Sequence, residues 1–436
     1  MKRRTLLQST LALSAGMVPR LSFAAEPFHA DTETDTETAI AQAHAELWRR
    51  FVDEYGILVD FCDLEGKVNL PTPEECRAGK PNALGWFQPI ENGAMFNGLY
   101  LDAAVNRWRS TKAREDAAKA RRLMEGLLLL NSISDLKGFV GRGVSTDGRS
   151  HYPMGSDDQT GPWFIGLWRY YDSGLASEEE KDRLRRHLVE TTEAIVSLGW
   201  NMPAEAPFGK RGTFEGFHFE KAVRKLFVMK LMARVTGEAS WEERYRAELG
   251  VAGGELALTK RQYATGGMKY HYAPTHAWTS CVAVGALRCL WEMEEDAALK
   301  ADYAAGLLAS AVLAAECLPL AEKFDPSNPA TFDQDWRAAM MPLWKPHTTE
   351  QEAVDLAIAQ LKAFGKISPR RHSEAAFIRE PSAAAWIVSL CPDKDVVKTH
   401  LPAIERLLRR YDYADLYYAT FFWVESVWWR VRDIGV

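Results

Sequence analysis

Residues 162–198 read PWFIGLWRYYDSGLASEEEKDRLRRHLVETTEAIVSL, two helical segments of opposite character joined by a short turn. Pro162–Tyr171 is apolar and aromatic round most of its circumference, as a helix buried on more than one side has to be. In Ser177–Leu198 only Leu184, Leu188, Thr191, Ile195 and Leu198 form an apolar stripe, and Glu, Arg and Lys fill most other positions. That helix buries one face. Ser177 with Glu180 three residues on marks its start as a capping box, and Ser240 with Glu243 repeats the pattern.

The same two kinds alternate along the chain. Charged, one-faced helices are expected at Thr36–Val52 and at about 112–134, 297–320 and 393–410. Apolar ones are expected at Ala94–Trp108, His218–Val235, Thr275–Trp291, Ser373–Leu390 and Tyr413–Trp429. Short connections and a spacing of roughly 60 residues per pair indicate a helical-hairpin repeat. The first charged helix has no partner before it and the last apolar one none after it, so pairing these two closes a ring. The expected fold is therefore all-α, an (α/α)6 toroid of inner and outer helices. A seventh pair is possible because 322–347, with Pro326 and Pro329, is ambiguous between helix and loop. A small β-hairpin is expected near Ile57–Pro71. No linker divides residues 26–436, which read as a single domain.

Met1–Ala25 has Lys2-Arg3-Arg4-Thr5-Leu6-Leu7, an apolar run to Val18 and Ser22-Phe23-Ala24-Ala25, a signal peptide of twin-arginine type. Its apolar run of about 13 residues falls short of the roughly 20 that span a bilayer, and no later segment reads as a span. Removing the leader takes away four basic residues and leaves a net charge of −10, which argues against nucleic acid as a partner. The six cysteines do not form a disulfide framework or a zinc cluster; Cys62 with Cys76 is the one pair worth testing.

In such a toroid the starts of the inner helices gather on one face. Those segments bring Glu91 and Asn92; Arg142, His151, Asp157, Asp158, Gln159 and Trp163; Lys210, Arg211, Glu215, His218 and Glu220; Tyr270, His271, Tyr272 and His276; Tyr411, Asp412 and Asp415. Aromatic faces pack on pyranose rings, carboxylates and amides satisfy hydroxyls, and paired carboxylates supply acid with base or nucleophile. Ser156-Asp157-Asp158-Gln159 admits two readings. It has the S-x-x-Q form of a capping box; alternatively Pro162 opens the helix after Gly161, leaving both aspartates in a loop that faces a cleft. Glu215 and His218 point to one side if their turn is helical, and an apolar setting would raise the carboxyl pKa. Asp158, Glu215, Glu91 and His218 are thus the candidate catalytic groups. Arg142 and Arg211 are candidate clamps for a substrate carboxylate, and His151, Asp157, Gln159, Trp163, Tyr270, His271 and His276 are candidate substrate contacts. His271 and His276, five apart, do not share a helix face as zinc ligands would; no metal site and no organic cofactor is expected.

The inner and outer helices, with carboxylates and histidines at the inner-helix starts, resemble the α/α-toroid glycoside hydrolases, nearest the unsaturated glucuronyl hydrolases and toroid β-glucuronidases. The resemblance implies carboxylate acid/base catalysis, with Asp157 or Asp158 and Glu215 in the acid roles, Glu91 third, and polar or basic groups holding a uronate. The expectation is an exported glycosidase, periplasmic or secreted, whose partner is an acidic poly- or oligosaccharide. A polysaccharide lyase, a sugar epimerase and a non-catalytic glycan-binding protein are the alternatives.

Overall fold

The helical periodicity becomes mostly helical structure over Asp35–Arg432, the residues described by the computed structural model. The leader lies outside the described residues. In chain order the principal helices are α1 Thr36–Glu46, α2 Gly93–Thr111, α3 Arg114–Leu130, α4 Asp157–Tyr171, α5 Glu178–Ser197, α6 Phe219–Thr236, α7 Ala239–Leu249, α8 Lys260–Gly266, α9 Ala277–Met293, α10 Ala297–Ala315, α11 Glu350–Ile367, α12 Glu380–Ser389, α13 Lys394–Arg409 and α14 Phe422–Val431. Two short antiparallel hairpins, β1 Asn201–Pro203 with β2 Lys210–Thr213 and β3 Ala252–Gly253 with β4 Leu258–Thr259, connect helices.

The apolar helices α2, α4, α6, α9, α12 and α14 supply most of one large core cluster. Among them α2 packs on α4 and α14, α6 on α9, and α12 on α9 and α14. The remaining helices lie against this set: α3 on α2 and α4, α5 on α4 and α6, α7 on α6, α10 on α9 and α12, α13 on α12, and α1 on α13 and α14. Glycines permit the tightest of these crossings. A Cβ at Gly98 would run into the Pro162 carbonyl, and one at Gly166 would lie 2.7 Å from the Gly98 Cα.

Several expectations need correction. α4 begins at Asp157, so Pro162 lies inside the helix and Asp157 and Asp158 form its first turn rather than a loop. The Ser156 carbonyl accepts from the Gln159 and Thr160 N–H groups, and both aspartates sit at the positive end of the helix; together these outweigh the backbone bond that Pro162 forgoes. Ser177 and Glu180 form their capping box, but α7 is capped at Glu238 without a side-chain bond, so Ser240 with Glu243 does not cap. Glu215 and His218 share no helical turn, because α6 starts at Phe219 with an extended His218 before it. Ile57–Pro71 makes only isolated bridges, Val52 to Leu58 and Phe61 to Tyr418. The last apolar helix is shorter than expected, since Tyr413–Phe421 is occupied by two 3-10 turns.

Residues 322–347 hold short turns and the helix Trp336–Met340, whereas α11, which the sequence reading passed over, follows a Thr349–Glu352 capping box. α11 buries Ala353, Ala357 and Phe364 with Phe61, Phe87, Met154 and Trp336 in a second apolar cluster. α10 is not charged on its outside: Leu308 and Val312 are exposed, and Ala297–Lys323 is long and apolar enough to cross a membrane by length and composition, with 44% of its most apolar window buried. All six cysteines are buried and unpaired, Cys62 and Cys76 included.

Candidate functional site

The starts of the apolar helices are stitched together by polar side chains. At the entry to α2, Asn92 donates from its backbone N–H and its Nδ2 to Asp60 at 2.7 and 2.6 Å, and its Oδ1 accepts from Gln159 of α4 at 3.3 Å. Burial first, then the neighbouring Glu91, push the Asp60 carboxyl well above the ordinary range. Glu91 accepts from the Phe87 N–H at 2.9 Å, and Arg371 approaches it at 3.6 Å while lying over the rings of Phe87 and Tyr418. Phe87 adopts φ 64°, a left-handed conformation costly for an aromatic residue and often found at functional sites.

Arg142 is 2% exposed and its fork is fully engaged: Nε on the Met154 carbonyl, one terminal nitrogen on the Glu91 carbonyl, the other on Ser156 Oγ and, at 3.4 Å, on Asp158. It therefore positions Asp158 and Glu91 and is not a free clamp. Asp158 stays 42% exposed, the more open of the two adjacent aspartates. Asp157 is locked by Lys221 and, at 3.0 Å, by Arg224. Arg211, on β2, donates to the Gly155 carbonyl and stacks over Trp86 at 5.4 Å; burial, then Arg142, lower its pKa. Its Nε finds no acceptor among the described residues, nor do those of Arg224, Arg371 and Arg379.

Glu220 opens α6 beside Arg224 at 3.0 Å and Lys221 at 3.2 Å. Burial opposes its ionisation, but Lys221 and Arg224 outweigh that and hold its carboxyl well below the ordinary range. His271 accepts the Ala273 N–H on Nδ1 at 3.1 Å, which leaves its proton on Nε2, 3.6 Å from Glu220. Burial pushes this imidazole down to about 4, so it is neutral. Tyr272 covers it at 4.2 Å between ring centres and meets His218 edge-on at 6.2 Å. Trp278, on α9, receives Arg379 over its ring and packs against Phe96 of α2.

Other expected residues sit elsewhere. Trp163 is fully buried with its indole N–H on the Leu127 carbonyl, and Gln159, also buried, is consumed by the Met95 N–H and Asn92; both side chains are closed to solvent. Glu215, half-exposed, faces Lys225 and Lys260 instead of apolar groups. Tyr270 packs on Tyr263. His276 precedes α9 as its N-cap, and its carbonyl accepts from Thr279. His151 pairs with Glu205 at 3.2 Å, away from Asp158. Among the described residues no group of three or more His, Cys, Asp or Glu is placed to hold a metal ion.

The sequence reading missed Asp60, Lys221, Arg224, Arg371 and Arg379. For Lys221, Arg224 and Arg379 a signal existed, since charged residues within segments read as buried must be paired or functional; Asp60 and Arg371 lie outside those segments. No family model, no curated protein and no solved structure matches the chain.

Proposed function

We propose that the six helix pairs close into an α/α toroid and that the Asp158 cluster at the helix starts is the active site of an exported glycoside hydrolase acting on acidic glycans. The contacts of α14 with both α2 and α1 support the ring. The observation that carries the function is Asp158, an exposed carboxylate held at 3.4 Å by the buried Arg142 and within the electrostatic reach of Arg211 and Arg224. The positive potential of Arg211 and Arg224 near Asp158 suits a uronate carboxylate, and the part-exposed Trp86 and the exposed Tyr272 offer faces for the sugar ring. Asp158 and Glu91 supply the two carboxyl groups, one protonating the leaving oxygen and the other activating water or attacking the anomeric carbon. Glu215 is set aside because its lysine partners hold it outside this cluster.

The edge-on contact of His218 with Tyr272 beside Glu220 and Arg224 favours, as a second reading, a lyase that removes the proton next to a uronate. One screen separates the two: the protein is incubated with uronic-acid glycosides and acidic polysaccharides, following reducing ends and the absorbance of unsaturated uronate. New reducing ends without a rise in absorbance, lost on the order of 10²–10⁴-fold in Asp158→Asn, are expected. A rise in absorbance makes it a lyase. Silence on every substrate moves it to the glycan-binding class.

A further inference from the structure

Outside the Asp158 cluster, His44 of α1 is held on both ring nitrogens. Its Nδ1 lies 3.0 and 3.1 Å from the two carboxylate oxygens of Glu425 on α14, and its Nε2 lies 2.7 Å from the Lys119 ammonium of α3. Glu425 also takes the Tyr100 hydroxyl, Arg107 and the Trp429 indole, so it only accepts, and Nδ1 carries a proton. An ammonium only donates, so Nε2 is a bare acceptor. The two neighbours thus fix both the tautomer and the charge: the ring is neutral while Lys119 is in place. We propose that His44 is a proton-operated latch: the neutral ring ties α3 to α1 through Lys119, and uptake of a proton at Nε2 releases Lys119 and leaves α1 paired with α14 alone.

Lys119 and a proton compete for one lone pair, and imidazole is the side chain that takes up a proton between about pH 5 and pH 8. Once Nε2 carries hydrogen, the ammonium beside it has no hydrogen bond to make there and faces a like charge. The released side chain has somewhere to go. Lys119 is 20% exposed and already meets Glu115, one turn back on α3, at 2.7 Å, while its contact with the Trp48 ring, at 5.3 Å, belongs to the latched position. The ties that remain do not depend on the proton. Arg107 of α2 holds Glu425 at 3.2 Å and Asp116 of α3 at 2.8 Å, and the Tyr100 hydroxyl takes the Trp48 indole N–H at 3.0 Å. Neither α13 nor Tyr413–Asp415, which also pack on α1, brings a charged group into contact with the ring among the described residues. The protonated ring keeps Glu425 as an ion pair, so α1 stays on α14 while its side-chain tie to α3 is lost.

Nitrogen NMR of the full chain with isotope-labelled histidine, taken from about pH 8 down to about pH 5, tests this, with His44→Gln to assign the signal. At the alkaline end His44 is expected to show a protonated Nδ1 and a bare Nε2; at the acid end both nitrogens are protonated. Amide exchange across α3, corrected for its intrinsic dependence on pH, is expected to quicken in the same step. Lys119→Met removes the competitor, so its His44 is expected to take up the proton at a pH higher by on the order of one unit, and exchange in α3 loses its step. A protonated Nε2 at the alkaline end overturns the proposal, and that observation is made on wild type, so it stands whether or not Lys119→Met folds. Equal midpoints in wild type and Lys119→Met, or exchange in α3 without a step in wild type, overturn it as well.

Discussion

Asp157 and Asp158 are adjacent in sequence and opposite in circumstance. Asp157 is 15% exposed and shared by Lys221 and Arg224, whereas Asp158 is 42% exposed with one arginine contact at 3.4 Å. Asp157→Asn leaves two buried cations short of a partner and is expected to cost about 3 kcal/mol of stability, the scale for breaking a buried ion pair. Asp158→Asn is expected to leave the urea-unfolding midpoint nearly unchanged while removing turnover. Glu215→Gln, at a half-exposed pair, is expected to cost about 1 kcal/mol or less and to spare turnover. Unfolding curves run beside the activity screen check all three, and a loss of turnover in Glu215→Gln at full stability would sink the assignment made here. The adjacent pair of carboxylates was legible in the sequence; which one is free was not, because Lys221 and Arg224 reach Asp157 from another helix.

At the scale of elements, the alternation of one-faced and apolar helices was legible because burial imposes its period on the residues. Ser177–Leu198 was read within a residue of α5, and 393–410 within a residue of α13 at either end. The start of α4 was legible only as one of two readings, and that of α14 not at all. The first is decided by hydrogen bonds to the Ser156 carbonyl and the second by 3-10 turns that bring Tyr418 under Arg371. The Tyr417–Tyr418 stretch is held by Glu374, which accepts both backbone N–H groups and faces Arg370 at 3.3 Å. Burial pushes Glu374 up to about 7, so below that pH the folded protein keeps a proton that the unfolded chain, near 4.5, releases. Stability contributed at this residue therefore falls as pH rises from about 4.5 to about 7, and Glu374→Gln is expected to lose that slope in unfolding midpoints taken across the interval. Close approach governs the α2–α4 crossing, where Gly98→Ala would press a methyl group against the Pro162 carbonyl. Overpacking of this kind costs about 1–3 kcal/mol, read as a lowered unfolding midpoint.

Across the whole molecule, the first and last described helices are joined by one buried carboxylate. Glu425 of α14 takes His44 of α1 at 3.0 Å, the Tyr100 hydroxyl of α2 at 2.5 Å, Arg107 at 3.2 Å and the Trp429 indole at 3.2 Å. Burial opposes its charge, yet His44 and Arg107 prevail and bring its pKa down to about 2. A depressed carboxylate stabilises the fold above its unfolded pKa near 4.5 and loses that contribution as pH falls toward about 2. Near neutrality Glu425→Gln leaves Arg107 and His44 facing a neutral group and is expected to cost about 3 kcal/mol. The gap between wild type and variant should then narrow as pH falls through the same window. If α1 and α14 close a ring, the loss spreads beyond them, because every helix pair is held by two neighbours. Hydrogen exchange in Glu425→Gln should then quicken in α2 and α12 as well as in α1 and α14. Quickening confined to α1, with α2 and α12 protected as in wild type, would mean that the end helices are an appendage and the toroid is not closed through them.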